Sequence, residues 1–304
     1  MGAVVMVVAV VGPTAAGKTA LSLALADALD GEVINADSMQ LYRGMDIGTA
    51  KLAVSEREGI KHHVLDIWDV TEPASVAGYQ TLAREAVRDC SARTRVPLLV
   101  GGSGLYVRAV LEDFDFPGTD PDLRADLEAE LAADGPAALH ERLRERDPAA
   151  AARILPTNGR RIVRALEVIA ITGRPFVAEL PPPAPMYKSV QLGVDRDTAD
   201  LDDRIARRVD AMWEAGLVAE VAALAGVGLR DGRTASRALG YQQVLRFLDG
   251  ELTEEEARQE TVRATRRFVR RQRSWFRRDP SVVWLDAARP DLVEAALALV
   301  AEAR

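Results

Sequence analysis

Cysteine is almost missing from this chain: with Cys90 alone, no intramolecular disulfide and no cysteine-based zinc site can form, which fits a reducing compartment. No apolar run is long enough to span a bilayer. The stretch Ala3 to Val11 is too short and lacks the basic n-region and cleavage site of a signal peptide. It reads as a buried first strand, and a cytoplasmic protein with no membrane partner is expected. Internal repeats are absent, and the one biased tract, Pro181-Pro182-Pro183-Ala184-Pro185, suits a stiff connector. What is present is an ordinary globular composition: 304 residues, 48% hydrophobic and 28% charged, enough for a large α/β domain and a smaller insert.

The formal net charge of -7 argues mildly against nucleic-acid binding, because phosphate contacts supply most non-specific affinity. The basic charge is nevertheless concentrated. From Arg263 to Arg278 the sequence RATRRFVRRQRSWFRR holds eight arginines and no acid, with Phe268, Trp275 and Phe276 interleaved. Two readings stay open: a grip on RNA by phosphate contact and stacking, or a core helix whose arginines pair with surface acids.

Periodicity places strands at Val4–Val11, Glu32–Asp37, His63–Ile67 and Val96–Val100, with helices over Lys18–Leu29 and Tyr79–Cys90. Short apolar strands alternating with helices imply a parallel sheet covered on both faces. From about Phe116 the pattern turns helical and alanine-rich, and a return strand is expected at Val190–Val194. Helices follow over Leu201–Ala215, Leu217–Ala225, Gln242–Leu248 and Thr253–Arg277, with a last strand at Val282–Leu285. The fold class is α/β, a P-loop NTPase-like parallel sheet flanked by helices, with an inserted all-helical lobe. Its parts are 1–115 for the first half of the core, 116–187 for the insert and 188–304 for the second half.

Gly12-Pro13-Thr14-Ala15-Ala16-Gly17-Lys18-Thr19 matches G-x-x-x-x-G-K-[ST] between a strand and a helix, the context this motif requires. Glycines let successive backbone N–H groups converge on phosphate oxygens, and the helix N-terminus adds favourable potential. Lys18 adds a point charge, and Thr19 offers a hydroxyl to Mg²⁺. Such a loop sees a diphosphate without identifying what is attached to it. From spacing alone, Asp37 fits a metal ligand of an ATPase as well as a general base. Adjacent His62 and His63 point in opposite directions along a strand and suit structural roles.

The segment from Asn35 to Lys51, NADSMQLYRGMDIGTAK, is more specific than any generic kinase pattern and closely resembles the tRNA dimethylallyltransferase family. GPTAAGKT, HHVLDI, VGGSGLY, RRIVRALEV and ALGYQQV extend the resemblance in the expected order over nearly the whole chain. It implies that Gly12 to Thr19 holds the diphosphate of dimethylallyl diphosphate, with Mg²⁺ as cofactor. Asp37 is then the general base that relieves adenine N6 of its proton. Arg204 and Arg208 lie four apart on one predicted helix. The resemblance makes Arg208 the residue that reaches the diphosphate, so Asp37, Thr19 and Arg208 form the catalytic set.

For the tRNA partner, its anticodon stem-loop above all, the resemblance implies contacts from Asp37, Ser38, Met39 and Gln40. It adds Ser103, where threonine is usual, and Arg124, then Thr157, Asn158, Gly159, Arg160 and Arg161. Arg237, Ala238, Leu239, Gly240, Tyr241 and Gln242 complete the set. The helical insert becomes the tRNA-binding domain, and a monomer is expected. The implied activity is transfer of the dimethylallyl group to N6 of the adenosine at position 37, next to the anticodon, in tRNAs reading codons that begin with U, with release of diphosphate. A base inside a stacked loop presents N6 poorly, so it must be drawn out into a pocket. Three alternatives compete: an isopentenyltransferase acting on free AMP or ADP, against which a helical insert of roughly seventy residues argues, a P-loop kinase or ATPase in which Asp37 or Asp66 organises Mg²⁺, and an RNA-binding module with a vestigial nucleotide site, against which intact Lys18, Thr19 and Asp37 weigh.

Overall fold

The β-branched run near the start becomes strand β1 (Met6–Val11), which pairs in parallel with β4 (Val96–Gly101) on one side and β5 (Lys188–Asp195) on the other. Further strands are β2 (Gly31–Asn35), β3 (His62–His63) and β6 (Val282–Asp286), giving a six-stranded sheet in the order β3-β2-β4-β1-β5-β6. All its pairings are parallel. The computed structural model describes residues 6–113, 116–176 and 184–303. Val4 and Val5 of the expected first strand, and Pro181 to Pro183 of the expected connector, lie outside the described residues.

A central strand must be apolar on both faces, and β1 is. Val7, Ala9 and Val11 join one core cluster, and Val8 and Val10 the other. The first cluster is closed by α2 (Val76–Ala92) and α3 (Gly104–Leu111) through Tyr79, Ala83, Val87, Tyr106 and Val107. The second is closed by α1 (Lys18–Leu29), α7 (Thr198–Glu214) and α11 (Leu292–Glu302), the last of which the sequence pattern did not suggest. α8 (Leu217–Gly226) and α9 (Tyr241–Leu248) pack with the 39–47 loop into a third cluster around Tyr42, Met45, Leu217 and Tyr241. The long α10 (Glu254–Phe276) starts at a Thr253 capping box and sends Val269, Gln272 and Phe276 inward.

Of the expected strand over His63–Ile67 only His63 is extended in β3, which begins one residue earlier at His62. Val64 and Asp66 take left-handed φ values of 59° and 54°, which no strand accommodates. The cause is tertiary: Lys51 Nζ lies 2.6 Å from Asp66 Oδ1, and Ile67 N donates to Leu41 O at 2.8 Å, drawing the chain toward the 39–51 loop.

Two compact units emerge, one of residues 1–112 with 185–304 and one of residues 113–184. The second is helical throughout its described elements: α4 (Pro121–Arg146), α5 (Pro148–Arg153) and α6 (Gly159–Thr172), packed on Leu127, Leu139, Leu143, Ile162 and Leu166. α4 is kinked at Gly135, with φ 79°, before Pro136. No helix among the described residues is long and apolar enough to cross a membrane.

Candidate active site

β1 is followed by a helix on one face of the sheet and β4 by a helix on the other, which opens a crevice above the C-terminal ends of these strands. Gly12 to Thr19 follow β1, Gly101 to Ser103 end and follow β4, and Asp37 follows the neighbouring β2. A cavity of about 310 Å³ there is lined by Thr14, Ala15, Gly17, Lys18 and Thr19 from the loop, by Asn35, Asp37, Gln40 and Thr49, and by Arg204 and Arg208 from α7. The structure thus brings Lys18, Thr19, Asp37 and Arg208 into one cavity. A broader, more open depression of about 510 Å³ shares Ala15, Thr19, Arg204 and Arg208 and adds Leu52 and Arg207.

The loop is aimed by its carbonyls. Gly12, at φ 136°, has the Val194 carbonyl where a Cβ would be, so no other residue fits there. Lys18 Nζ donates to Pro13 O at 2.7 Å, Arg204 Nε to Ala15 O at 2.9 Å and Arg196 Nε to Ala16 O at 2.9 Å. In a trans peptide the N–H points opposite to the C=O. Cations holding the Ala15 and Ala16 carbonyls therefore turn the N–H groups of Ala16 and Gly17 the other way. The Thr14 N–H is held separately: Gln272 Oε1 of α10 accepts it at 3.0 Å, while Gln272 Nε2 donates to Gly102 O at 2.9 Å. This buried carboxamide ties the loop to the turn after β4, and nothing in its sequence neighbourhood pointed to it.

Charge in the cavity is predominantly positive and partly desolvated. Burial lowers the Lys18 ammonium from 10.5 to about 8, with the Asp37 carboxylate opposing the shift and the Arg208 guanidinium adding to it. Arg208 is itself lowered by burial, again with Asp37 opposing and Arg204 adding. Neither the Thr19 hydroxyl nor the Arg208 guanidinium has a partner among the described residues. Two cations withdrawn from water beside a helix N-terminus are stabilised by a polyanion.

Asp37 is held by Asn35. The Asn35 side chain accepts from Asp37 N at 2.9 Å and donates to Asp37 O and Val64 O, both at 3.0 Å, while Tyr79 Oη donates to Asn35 O at 2.9 Å. Asp37 Oδ1 accepts from Met39 N at 2.9 Å. The carboxylate is thereby fixed at the rim of the half-buried run Asp37 to Gln40. Ser103 Oγ lies 3.3 Å from Ser38 N and 3.4 Å from Ser38 Oγ, joining the two turns.

The other wall, the 39–51 loop, is secured from afar. Gln40 Nε2 donates to Thr49 O at 3.1 Å. Glu220 of α8 accepts from the N–H groups of Asp46, Ile47 and Gly48 at 3.2, 2.8 and 3.3 Å and from Tyr241 Oη at 2.5 Å. Lys51, with its side chain almost fully buried, donates to Tyr42 O at 2.8 Å and pairs with Asp46 at 2.7 Å and Asp66 at 2.6 Å. Sequence reasoning missed Asn35, Lys51, Arg207, Glu220 and Gln272 as site residues.

Within the segment from Arg237 to Gln242, Arg237 and Gln242 are exposed and Leu239 half-buried, but Ala238, Gly240 and Tyr241 are buried. Tyr241 has no side-chain surface to offer an RNA, contrary to the expectation for it; its hydroxyl belongs to Glu220. In the helical unit, Thr157, Asn158, Arg160 and Arg161 are exposed and Gly159 half-buried at the start of α6, where Asn158 Oδ1 accepts from Arg161 N at 3.3 Å. Arg124, partly exposed, pairs with Glu167, a wholly buried carboxylate that Arg164 shares at 2.7 Å, so two guanidiniums meet one carboxylate.

At the opposite end of β2 from Asp37, Glu32, His63 and Cys90 bring metal-ligating atoms within 4.8 Å of one another. Their chemistry is otherwise engaged. Arg93 takes both Glu32 oxygens, His63 Nε2 lies 2.6 Å from Glu32 Oε2, and burial beside that carboxylate pushes the Cys90 thiol up to about 12. The group is an internal hydrogen-bonded knot.

A family model described as IPP transferase matches residues 40–279. The chain is 76% identical to a tRNA dimethylallyltransferase of Salinispora arenicola over 294 residues, covering 97% of this chain and 86% of that protein. It is 66% identical to one of Thermobifida fusca, covering 97% and 94%. Among solved structures, the full-length tRNA isopentenylpyrophosphate transferase of Bacillus halodurans superposes with a TM-score of 0.73 at 43% identity, covering 98% of this chain and 96% of that one. A eukaryotic dimethylallyltransferase acting on tRNA gives 0.83 at 26% identity, covering 97% and 78%. A phosphate loop, a carboxylate beside it and this extent of likeness lead to one conclusion: the chain belongs to the IPP transferase family.

Proposed function

We propose that the chain is a tRNA dimethylallyltransferase, moving the dimethylallyl group of dimethylallyl diphosphate to N6 of the adenosine at position 37, beside the anticodon, in tRNAs reading codons that begin with U. The observation that carries this is one cavity lined by Lys18, Arg208 and Thr19 together with Asp37. N6 attacks the allylic carbon as its C–O bond to diphosphate breaks, and the bond's electron pair leaves on the diphosphate. Lys18, Arg208 and the amides of Ala16 and Gly17 neutralise that growing charge. Asp37 accepts the proton that N6 gives up, so the products are the alkylated adenosine, diphosphate and a protonated carboxyl. Its tether through Asn35 and Met39 keeps the acceptor oxygen still while this happens.

The free hydroxyl of Thr19 at the helix start fits Mg²⁺, an ion that takes few protein ligands and keeps water and phosphate oxygens. Thr19 would hold it, and when bound it supplies further neutralisation of the leaving diphosphate. The exposed start of α6 and the 37–40 run are the surfaces we assign to the anticodon stem-loop, with the enzyme working as a cytoplasmic monomer. Incubation of the purified protein with labelled dimethylallyl diphosphate and either unmodified tRNA or AMP tests the reading. Label enters tRNA with one diphosphate released per transfer. Label in AMP, or consumption of ATP without transfer, overturns it.

A further inference from the structure

Helix α7 turns three arginines to one side. At about 100° and 1.5 Å per residue, Arg204, Arg207 and Arg208 lie within roughly 100° of arc and about 6 Å of helix. All three line the open depression of about 510 Å³ together with Ala15, Thr19, Ala50 and Leu52, and no carboxylate among the described residues lines it. Acids are not scarce on this helix, which carries Asp200, Asp202, Asp203, Asp210 and Glu214. Asp200 pairs with Arg196, Asp202 with Arg266 and Asp210 with Arg258, each a partner outside the three. Asp203 stands four residues before Arg207, a spacing at which helical ion pairs form, and makes none with it.

The three arginines differ in depth. Arg207 is exposed, while Arg204 and Arg208 are half-buried. Arg204 Nε is held by Ala15 O at 2.9 Å, whereas Arg207 makes no hydrogen bond or ion pair with any described residue. The depression opens into the cavity that holds Lys18 and Asp37, because Ala15, Thr19, Ala50, Arg204 and Arg208 line both. Arg207 is the one arginine of the three that lines the outer space and not the inner one. An anion arriving through the depression meets it before it meets the desolvated cations behind.

Such a position matters for a chain of net charge -7, whose summed field repels a polyanion at distances where no contact is yet made. An unpaired guanidinium at the mouth of a cleft reverses that field locally and raises the concentration of anions there. We propose that Arg207 is the capture residue for the donor: it draws the diphosphate end of the allylic substrate into the outer depression, from which Lys18 and Arg208 take it. The inference rests on reading the donor as dimethylallyl diphosphate.

Donor kinetics with tRNA saturating test it. Arg207→Gln lowers kcat/KM for dimethylallyl diphosphate roughly 3- to 10-fold at about 50 mM salt, and the gap to wild type narrows at about 200 mM as screening shortens the reach of the charge. The loss sits in KM, while kcat, tRNA affinity and the thermal midpoint keep their wild-type values. Inorganic diphosphate, which has no prenyl group, inhibits the variant more weakly by a similar factor. Arg207→Lys keeps most of the wild-type kcat/KM, and Arg207→Glu loses roughly 10- to 100-fold. Lys61→Gln removes the same unit of charge at an exposed lysine 3.7 Å from Asp89, toward the other end of the sheet, and changes nothing. An Arg207→Gln protein with wild-type donor kcat/KM at low salt, or one whose loss falls on kcat, overturns the capture role and leaves the donor reading intact. A wild-type protein that transfers no label from dimethylallyl diphosphate removes the donor reading itself.

Discussion

The two walls of the cavity are built in opposite ways. The phosphate loop is prescribed within eight consecutive residues, Gly12 to Thr19, by a glycine that nothing else can replace and a lysine that starts the helix. The facing 39–51 loop has no such local code: Glu220, Tyr241 and Lys51 hold it, two of them from elements some 170 residues or more away in sequence. A wall written locally shows in sequence as a motif. A wall held by distant carboxylates shows only once the chain has folded.

Four measurements break or sharpen that contrast. Asp37→Asn, at the residue that lies between the two walls in sequence, keeps the shape but not the basicity. Turnover falls about 10²- to 10⁴-fold with tRNA affinity within a few-fold, and unchanged turnover would remove Asp37 from the chemistry. Lys18→Ala strikes the local wall: kcat falls about 10²- to 10³-fold and the donor KM rises, while tRNA binding by filter retention holds. A donor KM at the wild-type value would assign the diphosphate elsewhere.

Glu220→Gln tests the distal wall itself. Weakening a charged acceptor shared by three amides and a hydroxyl lowers stability by about 1.5–3 kcal/mol and kcat/KM by up to about 100-fold as the loop shifts. Combined with Tyr241→Phe it should be clearly less than additive; strict additivity would mean that the two residues act separately. The smallest effect is a pH dependence. Lys18, lowered to about 8, is protonated below that pH and loses its charge above it. The dissociation constant for dimethylallyl diphosphate is therefore flat between about pH 7 and 8, where the diphosphate is already ionised, and rises by up to about tenfold per unit above it. Lys18→Arg should abolish the break, and a break that persists in that variant belongs to another group.

The same contrast explains how much was legible beforehand. Sheet strands and most helices followed from periodicity, because a parallel sheet buries both strand faces and leaves long apolar runs. β3 was read too long, since Val64 and Asp66 adopt left-handed backbone only because Lys51 and Leu41 pull on the segment. Lys18, Thr19 and Asp37 were legible as a motif and its flanking acid. Asn35 stood inside the recognised segment, yet its bracing of Asp37 depends on Val64 and Tyr79, contacts that no spacing encodes. The pairing of Arg124 with the buried Glu167, 43 residues further on, is another contact that no spacing encodes.

Gln272 has a consequence for which side chains its position tolerates. It must accept from the Thr14 amide and donate to the Gly102 carbonyl through one planar group. Glutamate has no proton to give, lysine and arginine have no lone pair to offer, and asparagine stops one methylene short. Only one of the twenty residues meets all three requirements of reach, planarity and mixed polarity, so a buried site amid eight arginines admits almost no drift.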